Sequence, residues 1–250
     1  MGTLRTAEFL HIPFVAEEPK RVIGHIVEDA LSKKPSGLVV HLIPAHSVAE
    51  SAKDAGFREV LNSGGIVVPD GRWLEILTQS NDVPLTQLRG TDLFLGVCEA
   101  SVPHKLGHYF LGSNEELLTE LDANLSHRFE DIVIVGREEY PYGELSPSER
   151  KALAKRILDS GASFVWFGIS TPRQNLEAQW LSEATGLTVL CVGAALEFVA
   201  GKKKMAPRWV QRAGLEWLHR FASEPRRLWR RYLLGSADFV RLYLASRRSN

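Results

Sequence analysis

The chain has 250 residues, 30 Lys/Arg against 30 Asp/Glu, 44% hydrophobic and 24% charged residues, the make-up of a globular protein with room for one large domain or a domain plus an appendage. Its opening carries an acidic residue at Glu8 with no apolar run behind it, so it does not read as a signal peptide, and no stretch approaches the roughly 18–20 apolar residues that cross a bilayer. Cys98 and Cys191 lie far apart in apolar or mixed segments, which suits buried free thiols in a reducing compartment better than a disulfide, and neither has zinc-ligand spacing.

In chain order, apolar runs predict strands over residues 9–14, 38–43, 66–68, 109–111, 132–135, 164–167 and 189–192. Several are rich in Val, Ile and Phe without polar alternation, as in strands covered on both faces of a mostly parallel sheet. Helical spacing appears between them, over residues 116–125, 148–160 and 175–185. Alternating strands and helices imply an α/β, doubly wound fold, its mostly parallel sheet flanked by helices. Two strand–turn–helix junctions stand out. At the first, Gly112 allows a turn and Ser113 offers a helix cap, with Glu116 completing a capping box. At the second, Gly168 leads through Pro172 into a helix near Gln174. Such junctions are plain turns or, at the carboxyl ends of an open sheet, phosphate sites. No Walker or dinucleotide glycine fingerprint is present, which argues against kinase, ATPase and dehydrogenase chemistry.

The last fifty residues differ from the rest. Thirteen Lys/Arg face three Asp/Glu from Gly201 onward, so residues 1–200 carry the balancing excess of acid. Tryptophan, leucine and arginine recur there with helical spacing, predicting two or three amphipathic helices. These either pack on the body or lie in an anionic membrane interface. The expected organisation is an α/β core over 1–200 and a basic amphipathic appendage over 201–250.

Ordered motifs run from Asn62 to Tyr232: Pro69-Asp-Gly71, Arg89-Gly-Thr-Asp92, Tyr109-Phe-Leu-Gly112, Ile134-Val-Gly136, Gly168 with Pro172-Arg-Gln174, Val192-Gly-Ala194, Ala206-Pro-Arg-Trp209, Leu215-Glu-Trp217, Arg220, Glu224-Pro225, Arg227 and Arg230-Arg-Tyr232. Together they resemble the WecG/TagA/CpsF glycosyltransferases of bacterial surface-polysaccharide assembly. The resemblance implies a small Rossmann-like core and an arginine-rich appendage that helps close the site and meet the membrane. It implies inverting transfer of a sugar from a UDP-sugar donor to a saccharide on undecaprenyl diphosphate at the cytoplasmic face, by a peripheral protein needing no metal or other cofactor. Dimers or trimers are compatible with it.

Inverting transfer needs one general base for the acceptor hydroxyl. Asp70 fits, at a strand end and before Gly71, although Asp-Gly also makes ordinary turns. The departing diphosphate needs cations or helix N-termini. Arg89, Gly112, Ser113, Gly168, Gln174 and Glu197 are the expected donor-side residues, and Arg220, Arg227, Arg230 and Arg231 are expected on donor or lipid diphosphate. Four positions depart from the family pattern: His41 and Ile43 where it has Thr-x-Asn, Asn175 in place of Glu, and Glu197 in place of Asp. They read as a changed sugar or acceptor, with His41 either a specificity group or a structural histidine. They also motivate a second hypothesis, a catalytically silent paralogue that holds nucleotide-sugar or scaffolds an assembly complex. Nucleic-acid binding by the basic tail lacks a recognisable module and is opposed by the acidic body.

Overall fold

A computed structural model describes residues 2–32, 36–63, 65–112, 114–229 and 233–249. Eight strands form one sheet: β1 (Thr6–Phe9), β2 (Ile12–Val15), β3 (Val39–Ile43), β4 (Ile66–Pro69), β5 (Gly107–Gly112), β6 (Val133–Glu139), β7 (Phe164–Phe167) and β8 (Thr188–Cys191). Their order is β1-β2-β4-β3-β8-β7-β5-β6. All pairs are parallel except the antiparallel β1–β2, so the expected α/β class with a mostly parallel sheet is what the chain adopts.

The expected first strand, 9–14, is instead a hairpin. Leu10 and His11 both take left-handed φ values, 52° and 64°, and turn the chain between β1 and β2. That conformation belongs to two-residue hairpin turns, where Asn-Gly or Asp-Gly gives the usual warning. Leu-His gives none.

Side-chain alternation sorts the sheet into two packed faces. On one, Val40 and Leu42 of β3 and Phe164 and Trp166 of β7 meet the helices α1 (Pro19–Leu31), α5 (Gly90–Ser101), α6 (Glu115–Arg128) and α9 (Ala195–Val199). On the other, Val165 and Phe167 meet α7 (Pro147–Asp159) and α8 (Arg173–Thr185). There, too, Ile43 and Val67 meet α2 (Ala45–Ser51), α3 (Ala55–Asn62) and α4 (Arg72–Thr78). Helix signals explain several boundaries. Ser146 and Glu149 form a reciprocal capping box ahead of α7. Gly186, at φ 71°, closes α8 with its N–H on the Ser182 carbonyl. The box expected at Ser113 and Glu116 is not the cap of α6. Asn114 is that cap, its side chain accepting from the Leu117 N–H at 2.8 Å, while Ser113 itself lies outside the described residues.

One polar string crosses the first face. Trp166 donates its indole N–H to His108 Nδ1 at 3.0 Å, His108 Nε2 meets Ser101 Oγ at 2.7 Å, and Ser101 donates to the Cys98 carbonyl at 2.6 Å. Every link has a partner, as buried polar groups require. Burial pushes the His108 pKa down to about 4, so the ring is neutral. Cys98 and Cys191 are both buried free thiols, whose pKa burial raises.

The C-terminal fifty residues form short helices α10 (Arg208–Arg212), α11 (Glu216–Ser223) and α12 (Pro225–Trp229), then the longer α13 (Gly235–Ser249). These helices do not hang free of the body. Phe239 of α13 is 4% exposed and joins the core beside Phe9, 6.4 Å between ring centroids, with Tyr243 6.1 Å from the same ring. The appendage thus returns to the hairpin that opens the chain.

Candidate active site

The strand order places a switch between β3 and β8. From β3 the chain crosses to β4 on one side, whereas β8 is entered from β7 on the other. Such a point leaves a crevice at the carboxyl ends of the strands. Here the crevice encloses about 790 Å³. Its floor is the turns after β3, β4, β7 and β8, and its outer wall comes from α10 to α13.

Asp70 follows directly on β4 and lines this crevice. Its own N–H is held by the Ile43 carbonyl at 3.1 Å, which continues the ladder one residue past the strand and fixes where the carboxylate leaves the backbone. Burial pushes the Asp70 pKa up to about 6. The Arg220 cation works against that rise, the Glu216 carboxylate adds to it, and a hydrogen bond from the Gly90 N–H and the Arg89 cation also oppose it. Gly90 is the first residue of α5, so the carboxylate sits at a helix N-terminus, where an anion is favoured. Near neutrality the group is mostly ionised yet basic enough to accept a proton.

Arg89 lies beside it, but its guanidinium is engaged. It binds Asp92 at 2.6 Å, Glu216 at 3.5 Å and the Gln211 side-chain oxygen. Two of those partners belong to the appendage, so Arg89 ties α10 and α11 to the core. Lys203 makes a second tie, bridging Glu197 of α9 and Glu224 at 2.7 Å each. Arg220 reaches the crevice with its guanidinium 5.4 Å from the Phe198 ring centroid. Some of the tail's positive charge is therefore matched internally by acids of the body, Lys202 with Glu116 and Glu120 included.

At the β7–β8 end, Gln174 is 3% exposed and divides its amide between two turns. Its Oε1 accepts from the Gly193 N–H at 3.1 Å, and its Nε2 donates to Thr171 Oγ1 at 3.0 Å. Gly193 has a left-handed φ of 52°, which only glycine takes freely. Gly168 lines the crevice, and a β-carbon there would stand 2.3 Å from Leu196 Cδ1.

The remaining expected residues fall elsewhere. Gly112 ends β5 against Leu118 and is not part of the crevice wall. His41 is fully buried in β3, away from that wall, with Nδ1 2.9 Å from the Asn175 side-chain nitrogen. Burial pushes its pKa down to about 3. This geometry is that of the structural histidine rather than a group facing substrate. It also places two departing positions, 41 and 175, against each other. Arg230 and Arg231 lie outside the described residues, as does the side chain of Arg227. Sequence reasoning did not single out Gly90, Lys203, Gln211 or Glu216, and the last two meet Arg89 only across 122 and 127 residues. Among the described residues no three His, Cys, Asp or Glu side chains converge as a metal cradle, and no helix is long and apolar enough to cross a membrane.

The glycosyl transferase WecG/TagA/CpsF family matches residues 7–250. The chain is also similar to the N-acetylglucosaminyldiphosphoundecaprenol N-acetyl-beta-D-mannosaminyltransferase of Bacillus subtilis (strain 168), with 22% identity over 232 residues, covering 92% of this chain and 88% of that protein.

Proposed function

Given that the chain belongs to the WecG/TagA/CpsF glycosyltransferase family, we propose that this enzyme transfers a sugar from a UDP-sugar to a saccharide carried on a polyprenyl diphosphate, in the synthesis of a cell-surface polymer. The observation that carries the reading is Asp70: a carboxylate, raised by burial to about 6, lining a crevice whose outer wall sets Arg220 among apolar side chains. The relative's name specifies a lipid-diphosphate acceptor for that protein, and the crevice here offers the groups such an acceptor needs.

In this reading the donor lies toward β7 and β8, over Gly168, Gln174 and Gly193, and the acceptor enters from the α13 side. The acceptor hydroxyl attacks the anomeric carbon while its proton passes to Asp70. The bond from that carbon to the β-phosphate oxygen breaks, and UDP leaves from the opposite face, giving inversion. Arg220 is the cation placed to hold the charge that grows on a diphosphate. Arg89, Gln174, Lys203 and Glu197 act one step back, holding the wall and the turns in position. The protein works against the membrane surface without spanning it, the basic appendage facing lipid.

Incubating the purified protein with UDP-sugars, UDP-N-acetylhexosamines first, and a synthetic saccharide-diphospholipid tests this. Repeated transfer with inversion is expected from the unsubstituted protein and is lost in Asp70→Asn. Turnover that survives the substitution would remove Asp70 from the chemistry. Failure of every donor would favour a protein that only holds nucleotide-sugar.

A further inference from the structure

The donor end of the crevice is fastened from behind by the first turn of α8. That helix starts at Arg173, and its cap position, Pro172, supplies no side-chain hydrogen bond. Three successive side chains do the holding instead, each on a different part of the sheet. Arg173 donates to the Pro141 and Gly143 carbonyls in the loop after β6. Gln174 clasps the turns after β7 and β8 through Thr171 and Gly193. Asn175 reaches His41, in the middle of β3. The register partner of His41 on β8 is Cys191, whose thiol lies 3.5 Å from the Gln174 carbonyl, on the same turn of α8.

The His41–Asn175 contact is poorly made for stability. Both residues are fully buried. Asn175 Nδ2 donates to His41 Nδ1 at 2.9 Å, which leaves the proton of the neutral ring on Nε2. Among the described residues, neither that Nε2 nor Asn175 Oδ1 has a partner. A buried donor and a buried acceptor left unmade both oppose folding, and two apolar side chains would fill the space without that penalty. What the polar contact supplies, and an apolar one does not, is direction. It fixes one orientation of the Asn175 amide, and with it the turn that bears the amide.

Resting on the placement of the donor over Gly168, Gln174 and Gly193, we propose that His41 and Asn175 are positioning residues for sugar transfer. Neither meets substrate. Their contact seats the first turn of α8 on β3, so that Gln174, one residue earlier, spans Thr171 and Gly193 and holds the two turns that face the donor. Without the contact the Gln174 amide is free to leave one or both turns, and the donor meets a floor that is no longer formed in advance.

Calorimetric titration of UDP into the unsubstituted protein and three variants, beside thermal melts, tests this without relying on turnover. His41→Asn carries an amide at the place of Nδ1 and is expected to bind UDP as the unsubstituted protein does. His41→Gln carries its amide at the place of Nε2, misses Asn175, and is expected to bind about tenfold more weakly, the worth of one hydrogen bond. The double variant His41→Leu/Asn175→Leu removes both polar groups, so its Tm should match or exceed that of the unsubstituted protein while its UDP affinity stays about tenfold down. In the transfer assay the donor KM rises in the weak binders and the acceptor KM does not. A contact that serves only stability would move Tm and UDP affinity together. UDP affinity that recovers with Tm in the double variant, or that is equal in His41→Asn and His41→Gln, overturns the inference. If the double variant does not melt cooperatively, the comparison of His41→Asn with His41→Gln decides alone. An unsubstituted protein that binds no UDP refutes the donor placement, and the inference falls with it. Strong UDP binding by every variant refutes the positioning and leaves the donor placement standing.

Discussion

Asp70→Asn should make the protein inactive and more stable at once. The unfolded chain ionises Asp70 near 3.8, and the folded crevice raises that value to about 6. Above pH 6 the folded state must hold a carboxylate that burial disfavours, so the native protein is destabilised relative to one with a neutral amide. At about 1.4 kcal/mol per unit the difference amounts to about 3 kcal/mol at most. Asp70 keeps partial contact with the crevice, so a gain of about 1–2 kcal/mol is expected, or a rise of about 2–8 °C in Tm at this chain length. The sign has a pH signature. A raised folded-state pKa means the penalty is full above pH 6, shrinks as pH falls, and vanishes below the unfolded value near 3.8. Thermal melts of both proteins at pH 7.5 and pH 4, beside a transfer assay at pH 7.5, check it. Transfer should fall by about 10²–10⁴-fold, the range for loss of a general base. An Asn variant that melts lower at pH 7.5, or whose gain persists undiminished at pH 4, would show that packing rather than buried charge sets the site.

The same pKa predicts an acid limb in kcat/KM, with activity dropping tenfold per unit below about pH 6 as Asp70 protonates; a flat profile down to pH 5 would contradict it. His41 and His108 titrate near 3 and 4 in the folded state, against about 6.5 unfolded. The unfolded chain therefore takes up protons first, and stability should fall between pH 6.5 and 4 by about 1.4 kcal/mol per unit for each histidine, measurable by urea melts, with a shallower slope when either is replaced. Arg89→Ala should release α10 and α11, seen as faster amide exchange over residues 208–223 and a raised acceptor KM; exchange at the native rate would mean those ties hold nothing. Gly168→Ala should lower stability by about 1–3 kcal/mol, because the new methyl meets Leu196, itself fully buried, at 2.3 Å.

Much of the sheet is legible in the sequence because its central strands are covered on both faces. Phe164–Phe167 and Ile66–Val68 are unbroken apolar runs that suit strands better than surface helices. The appendage is legible as charge against aromatics. The opening hairpin is not, since Leu10 and His11 carry no turn signal and the conformation is imposed by pairing. Asp70 is picked out by the family motif rather than by its surroundings, because Asp-Gly by itself reads as readily as an ordinary turn. The ties at Arg89 are invisible, because Gln211 and Glu216 lie 122 and 127 residues further on, and only the fold brings them together. His41 stays ambiguous in the sequence, a specificity group or a structural histidine, because its neighbour Asn175 reaches it from α8 only in the fold.

The packing of Phe239 and Tyr243 on Phe9 makes the β1–β2 hairpin an anchor for part of the crevice's outer wall. Loosening that hairpin would therefore open the cleft around Asp70 from a distance, without altering a residue that lines it.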